Sequence, residues 1–131
     1  MLFRSVEASV GKEGRPRVHR VVSALDPGTV VNPDCVRSQI EGGTAFALSA
    51  ALYSEITFEK GRVQQGNFYD YPLLRMNEMP VVEAFAAPSG AKMGGVGEPC
   101  VPPVAPALAN ALFAVTGKRI RRLPIRAEDL R

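Results

Sequence analysis

Residues 88–103 read PSGAKMGGVGEPCVPP. Four prolines and four glycines in sixteen positions deny this stretch both helix and strand. Proline lacks the N–H that either ladder needs, and glycine loses the most backbone freedom on ordering. A long irregular segment inside a 131-residue chain is uncommon, and such loops in compact domains tend to carry function. It also constrains the layout: the elements before it must build a platform, and those after it must return to that platform. At 131 residues the chain is one domain at most, long enough to bury a real core.

The platform is readable. LFRSVEASV (2–10) alternates and predicts a strand, and RVHRVVSAL (17–25) predicts a second. A strand that begins at once suits a compact domain, and equally a piece of a longer chain. DPGT (26–29) has proline and glycine at the central positions of a type II turn. Asn32 is a candidate cap and Pro33 a candidate first residue of a helix. Val36, Ile40, Gly43, Ala47, Leu48, Ala51 and Leu52 then fall on one helical face. YSEITFE (53–59) and RVQQGNF (62–68) predict a hairpin across Lys60-Gly61, 69–80 is irregular, and VVEAFAA (81–87) predicts a strand. Val104, Leu108, Ala111, Leu112 and Val115 mark a second helix that stops at Gly117. A closing strand over KRIRRLPIR (118–126) completes the order. The expected fold class is α+β: a mostly antiparallel sheet with two main helices packed on it.

Composition excludes several functions. No stretch approaches the roughly 20 apolar residues of a membrane span. MLFRSVEASVGKEG has no basic lead before an apolar run, so no signal peptide is expected. The net charge of +3 comes largely from 118–126. No aromatic residues interleave those arginines, so nucleic acid is not expected as a partner, and the segment reads as a solvated strand edge with Ile120, Leu123 and Ile125 partly inside. Cys35 and Cys100 have no metal spacing, and the one histidine, His19, lies in an alternating run as a strand side chain, so no protein-built metal site is expected.

Two motifs remain. In QIEGG (39–43), adjacent glycines inside a helix cost about 1 kcal/mol each against alanine. They serve either a close packing contact or a bare backbone surface that a bulky ligand approaches. In GGVGEP (94–99), Val96 stands where a phosphate-binding loop needs lysine, while Pro99 and Cys100 break a dinucleotide fingerprint. What survives is a side-chain-poor backbone presenting Glu98. That carboxylate is either a partner for the following helix dipole or a general base against a cofactor.

From Val18 to Ile125 the chain resembles the C-terminal end of a molybdenum hydroxylase large subunit, of the xanthine dehydrogenase and aldehyde oxidoreductase family. Within that family it is most similar to the β subunit of isoquinoline 1-oxidoreductase-type enzymes. NP…QIEGG and GGVGEP…PPVAPALANA carry the resemblance. It implies that Glu98 is the base that deprotonates the oxygen attacking an electron-poor carbon of an aldehyde or N-heterocycle. It places Gln39, Gly94, Gly95, Val96 and Gly97 beside a molybdenum–molybdopterin cofactor, whose dithiolene rather than the protein holds the metal. Cys100 departs from the pattern, where a small residue, often glycine, is expected.

The family's large subunit is several times longer. The resemblance therefore implies that 1–131 is a single domain, the C-terminal portion of a cofactor-binding domain and a fragment of a longer subunit. Its partners would be the remainder of that subunit and a small subunit carrying iron–sulfur clusters. Compartment, whether cytoplasm or periplasm, is left open. The alternative is an inactive stand-alone α+β module, derived from the same fold, that binds or assembles.

Overall fold

The structure is a computed structural model and describes residues 2–131, with side chains from Arg4 onward. Two long strands open it: β1 (Leu2–Val10) and β2 (Pro16–Leu25), paired antiparallel from Leu2↔Leu25 to Val10↔Pro16. A register shift between Glu7 and Ala8 bends β1 at that point. Helix α1 (Pro33–Leu52) follows. Then come a small hairpin, β3 (Phe58–Glu59) with β4 (Arg62–Val63), and strand β5 (Val81–Ala86). Helix α2 (Val104–Thr116) comes last, before a short 3-10 turn at Ala127–Leu130.

The main sheet has the order β1-β2-β5, and β5 runs parallel to β2, with Leu25 opposite Ala86. The α+β class therefore holds, with a mixed rather than wholly antiparallel sheet. The parallel pairing follows from the α1 crossover, since two strands joined through a helix can lie side by side in the same direction. It matters for the site, because both strands end on the same side of the molecule.

Helix α1 forms as its sequence dictates. Asn32 Oδ1 accepts from the N–H groups of Asp34 (2.9 Å) and Cys35 (3.3 Å), and Pro33 follows at the first helical position. Its buried face is Val36, Ile40, Thr44, Ala47, Leu48 and Ala51. Helix α2 buries Val104, Leu108 and Leu112 and ends at Gly117, which takes the left-handed conformation at φ 72°.

The core divides in two. Ten buried residues, centred on Val21, Leu48, Leu108 and Leu112, form the larger cluster. Leu25, Val36, Ile40 and Cys100 form the smaller one. On α1 and β2 the polar residues Thr44 and Ser23, both fully buried, fall between members of the two clusters. The Arg4 guanidinium reaches both hydroxyls, Nη1 to Thr44 Oγ1 at 2.7 Å and Nη2 to Ser23 Oγ at 3.0 Å. Its Nε is buried without a hydrogen-bond partner among the described residues. Burial lowers the pKa of Arg4 from its ordinary value.

Two expectations fail. The strand expected over 118–126 does not form. Pro124 cannot donate to a ladder, and the segment instead crosses the end of α1, where the Ile125 N–H donates to the Ala51 carbonyl at 2.8 Å. Ile125 is buried and Ile120 half-buried, but Leu123 is exposed. The hairpin keeps its turn, with Lys60 at φ 49° and Gly61 at φ 77°, but pairs only two residues per strand. Phe58 and Val63 stay exposed, so no burial stabilises a longer ladder.

Candidate functional site

Because β2 and β5 end together, the segments that leave them meet. The DPGT turn leaves β2, and the long loop, residues 87–103, leaves β5. Asp26 ties them: its Oδ1 accepts from the Gly28 N–H (3.0 Å), the Ser89 N–H (3.2 Å) and the Ser89 hydroxyl (3.0 Å). The Thr29 N–H and hydroxyl both donate to the Ala91 carbonyl at 3.1 Å, and the Gly94 N–H donates to the Pro27 carbonyl at 2.9 Å. Gly28 sits at φ 72°, and a Cβ there would lie 2.4 Å from the Lys92 carbonyl oxygen and 2.8 Å from that of Ala91. The loop is therefore clasped to the turn from Ser89 to Gly94.

These donors hold the Asp26 carboxyl below its ordinary value of 3.8, the Gly28 N–H contributing most, then the Ser89 hydroxyl and N–H. In the unfolded chain Asp26 takes up its proton first as pH falls. Its contribution to stability is complete above about pH 4 and fades as pH drops through the folded-state pKa. Urea unfolding at a series of pH values is expected to show this loss, and Asp26→Asn is expected to flatten the curve below about pH 4.

Beyond Gly94 the loop is free of such ties. None of the four successive N–H groups from Gly95 to Glu98 donates a hydrogen bond within the described residues. A Cβ on Gly95 would meet nothing within 4 Å. Val96, between the glycines, turns inward and packs against the smaller core cluster. Glu98 is exposed, and its carbonyl accepts from the Val101 N–H at 2.9 Å, closing a turn. It lies before α2, whose first turn contains no acidic residue.

Gln39 comes to the same place from α1. A Cβ on Gly97 would lie 3.8 Å from Gln39 Oε1, and the Gln39 amide makes no hydrogen bond among the described residues. Gly95, Gly97, Glu98, Pro99 and Pro102 line an open depression of about 520 Å³. The exposed face of α1 continues from Gln39 through Gly42, where an added Cβ would meet nothing, to Phe46, which is 69% exposed. A Cβ on Gly43 would instead meet Cys100 of the loop, so the paired glycines do two jobs: one is a packing contact and the other is bare surface.

Among the described residues no three His, Cys, Asp or Glu side chains gather as a metal site. His19 is an exposed strand residue whose Nε2 lies 2.6 Å from Ser9 Oγ. No described helix is long and apolar enough to cross a membrane.

A family profile described as molybdopterin cofactor-binding domain matches residues 5–80, more than half of the chain and including Gln39. The chain belongs to the molybdopterin cofactor-binding domain family. It is similar to the beta subunit of isoquinoline 1-oxidoreductase from Brevundimonas diminuta, 40% identical over 109 residues, which covers 83% of this chain and 14% of that protein. It is also similar to a nicotinate dehydrogenase subunit of Pseudomonas putida, 38% identical over 121 residues, covering 92% of this chain and 10% of that protein. Among solved structures, the aldehyde oxidoreductase of Desulfovibrio gigas superposes with a TM-score of 0.80 at 25% identity, over 95% of this chain and 14% of that one. Quinoline 2-oxidoreductase of Pseudomonas putida 86 superposes with a TM-score of 0.76, at 25% identity, over 88% of this chain and 16% of that one. The chain thus spans about a sixth or less of the proteins it matches, as a family member of fragment-like extent.

The sequence identified Gln39 and the run from Gly94 to Glu98, and the fold brings these together. It did not identify the clasp of Asp26, Thr29 and Ser89, whose partners lie 62 and 63 residues apart. The one signal was the DPG turn itself, which marks a glycine but not what the glycine approaches.

Proposed function

We propose that this chain is one wall of a molybdopterin-dependent oxidoreductase that hydroxylates an aldehyde or an N-heteroaromatic carbon with oxygen from water. In this reading Glu98 is the general base, and Gln39, Gly94, Gly95, Val96 and Gly97 line the cofactor. The reading rests most heavily on one observation: an unengaged amide on α1 and a run of unengaged N–H groups on the loop converge beside a single exposed carboxylate. Polar groups that find no partner within a chain are what a polar ligand needs.

The residues present fit such a group. Gln39 offers both a donor and an acceptor. The Gly95 and Gly97 backbone allows close approach, since no side chain stands in front of it. The open α1 surface at Gly42 and Phe46 extends the same wall. When bound, the cofactor supplies the oxygen-transfer chemistry and takes up the electron pair removed from the substrate. Glu98 accepts the proton of the attacking oxygen, its backbone held in place by the turn that the Val101 N–H closes. Val96, packed against the smaller core cluster, anchors the loop between the two glycines.

The depression is open on one side, whereas a base that works in a water-excluded site needs walls all round. In this reading those walls come from the remainder of a large subunit, of which residues 1–131 are the C-terminal cofactor-binding portion, and electrons leave through a small iron–sulfur subunit. The 131-residue chain purified alone is expected to contain far less than one molybdenum per chain and to oxidise no aldehyde in a dye-linked assay, because one wall cannot supply the affinity of a closed site. Stoichiometric molybdenum with turnover would overturn the shared-site reading. Loading and turnover gained on assembly with the rest of a large subunit would support it.

A further inference from the structure

We infer that Gly43 and Cys100 form a size-matched pair that sets how far the Glu98 loop stands off helix α1. Its bearing on catalysis rests on the role proposed for Glu98; the packing does not. The two glycines of QIEGG occupy unlike surroundings. A Cβ on Gly42 would meet nothing within 4 Å, whereas a Cβ on Gly43 would lie 3.2 Å from Cys100 Cβ, 3.7 Å from Val101 Cγ2 and 3.8 Å from the Cys100 carbonyl carbon. Carbon atoms pack best at about 3.5–4.0 Å, so a methyl group at 43 would force a displacement.

The surrounding packing decides which part moves. Helix α1 is pinned by Ile40 and Leu48, both fully buried, on either side of Gly43. The Cys100 side chain, also fully buried, is packed with Leu25, Val36 and Ile40. Burial raises the pKa of its thiol, with the Arg4 charge opposing. The loop is the softer partner, since it has no ladder of hydrogen bonds between Gly95 and Glu98. Motion at position 100 passes to 98 through the fixed φ of Pro99 and through the bond between the Val101 N–H and the Glu98 carbonyl. A chain with glycine at 100 would leave the room that alanine at 43 takes. Cys100 therefore fits against α1 because position 43 carries no side chain.

The test uses the 131-residue chain and its two thiols, of which Cys35 is exposed and Cys100 buried. An aromatic disulfide reagent should modify Cys35 quickly and Cys100 slowly in the parent. Gly43→Ala is expected to accelerate the slow phase about tenfold, and Gly42→Ala, the matched change on the open side, to leave it unchanged. In 15N spectra Gly43→Ala should shift the amides of Gly95 to Glu98. The same substitution added to Cys100→Gly should leave them where Cys100→Gly alone has them. A slow phase and loop amides untouched by Gly43→Ala, or the same amide shifts with and without Cys100, would overturn the pairing. If Gly43→Ala does not fold, Gly43→Ala/Cys100→Gly decides: recovery supports the pair, and continued failure overturns it. None of these readouts involves turnover, so they stand or fall separately from the role of Glu98.

Discussion

Glu98→Gln, placed in a complete large subunit that carries this segment, is expected to lower kcat by about 10²–10⁴-fold while molybdenum content stays at the parent level. Glutamine keeps the shape of glutamate and removes only its ability to take a proton. The loop should hold its course, because the Val101 N–H bonds the backbone carbonyl of residue 98 and not its side chain. Binding groups on Gln39 and the loop N–H groups are untouched, so the cofactor should stay bound. Steady-state kinetics with metal analysis on the same preparation make the comparison. A parent-like rate in a fully loaded enzyme would remove Glu98 from the chemistry, and loss of molybdenum together with rate would make it a structural residue.

Gly28→Ala is expected to be the most damaging single-methyl change in the chain's turns. Its φ of 72° costs about 1–2 kcal/mol for any side-chain-bearing residue, before contacts are considered. The new methyl would also lie 2.4 Å from one carbonyl oxygen and 2.8 Å from another, both on the loop backbone. Backbone cannot rotate out of the way as a side chain can, so the clasp must open. A total loss of about 2–4 kcal/mol is expected as a lower urea midpoint with an unchanged m value. Gly61→Ala is the control: it has φ 77° with nothing within 4 Å, so it isolates the conformational part alone. Equal losses at the two sites would show that the contact between turn and loop contributes nothing.

These two residues show what the sequence could and could not disclose. Local rules worked where the cause was local. Asn32 and Pro33 start α1, Gly117 ends α2, and the loop between β5 and α2 is irregular because of its own prolines and glycines. Glu98 was visible because little else in its neighbourhood has a functional side chain. The rules failed where tertiary packing chose. Ile120, Leu123 and Ile125 suggested a strand, but Leu123 stays exposed and the Ile125 N–H bonds the Ala51 carbonyl at the end of α1 rather than a sheet neighbour. The hairpin residues have strand propensity but nothing to pack against, so only the turn survived. Gly42 and Gly43 are chemically identical, and only the position of Cys100, 57 residues later, makes them differ.

The Arg4 row has a mechanical consequence. A guanidinium shared between two hydroxyls, with its Nε unpartnered, sets a polar row between the two apolar groups, which Val82 bridges. It therefore acts as a seam. Four buried residues lie on one side of that seam and ten on the other, so amide hydrogen exchange is expected to be faster around the smaller group than around the larger. Stiffness is thereby lodged in the frame, and compliance is kept for the rim that an incoming guest would touch.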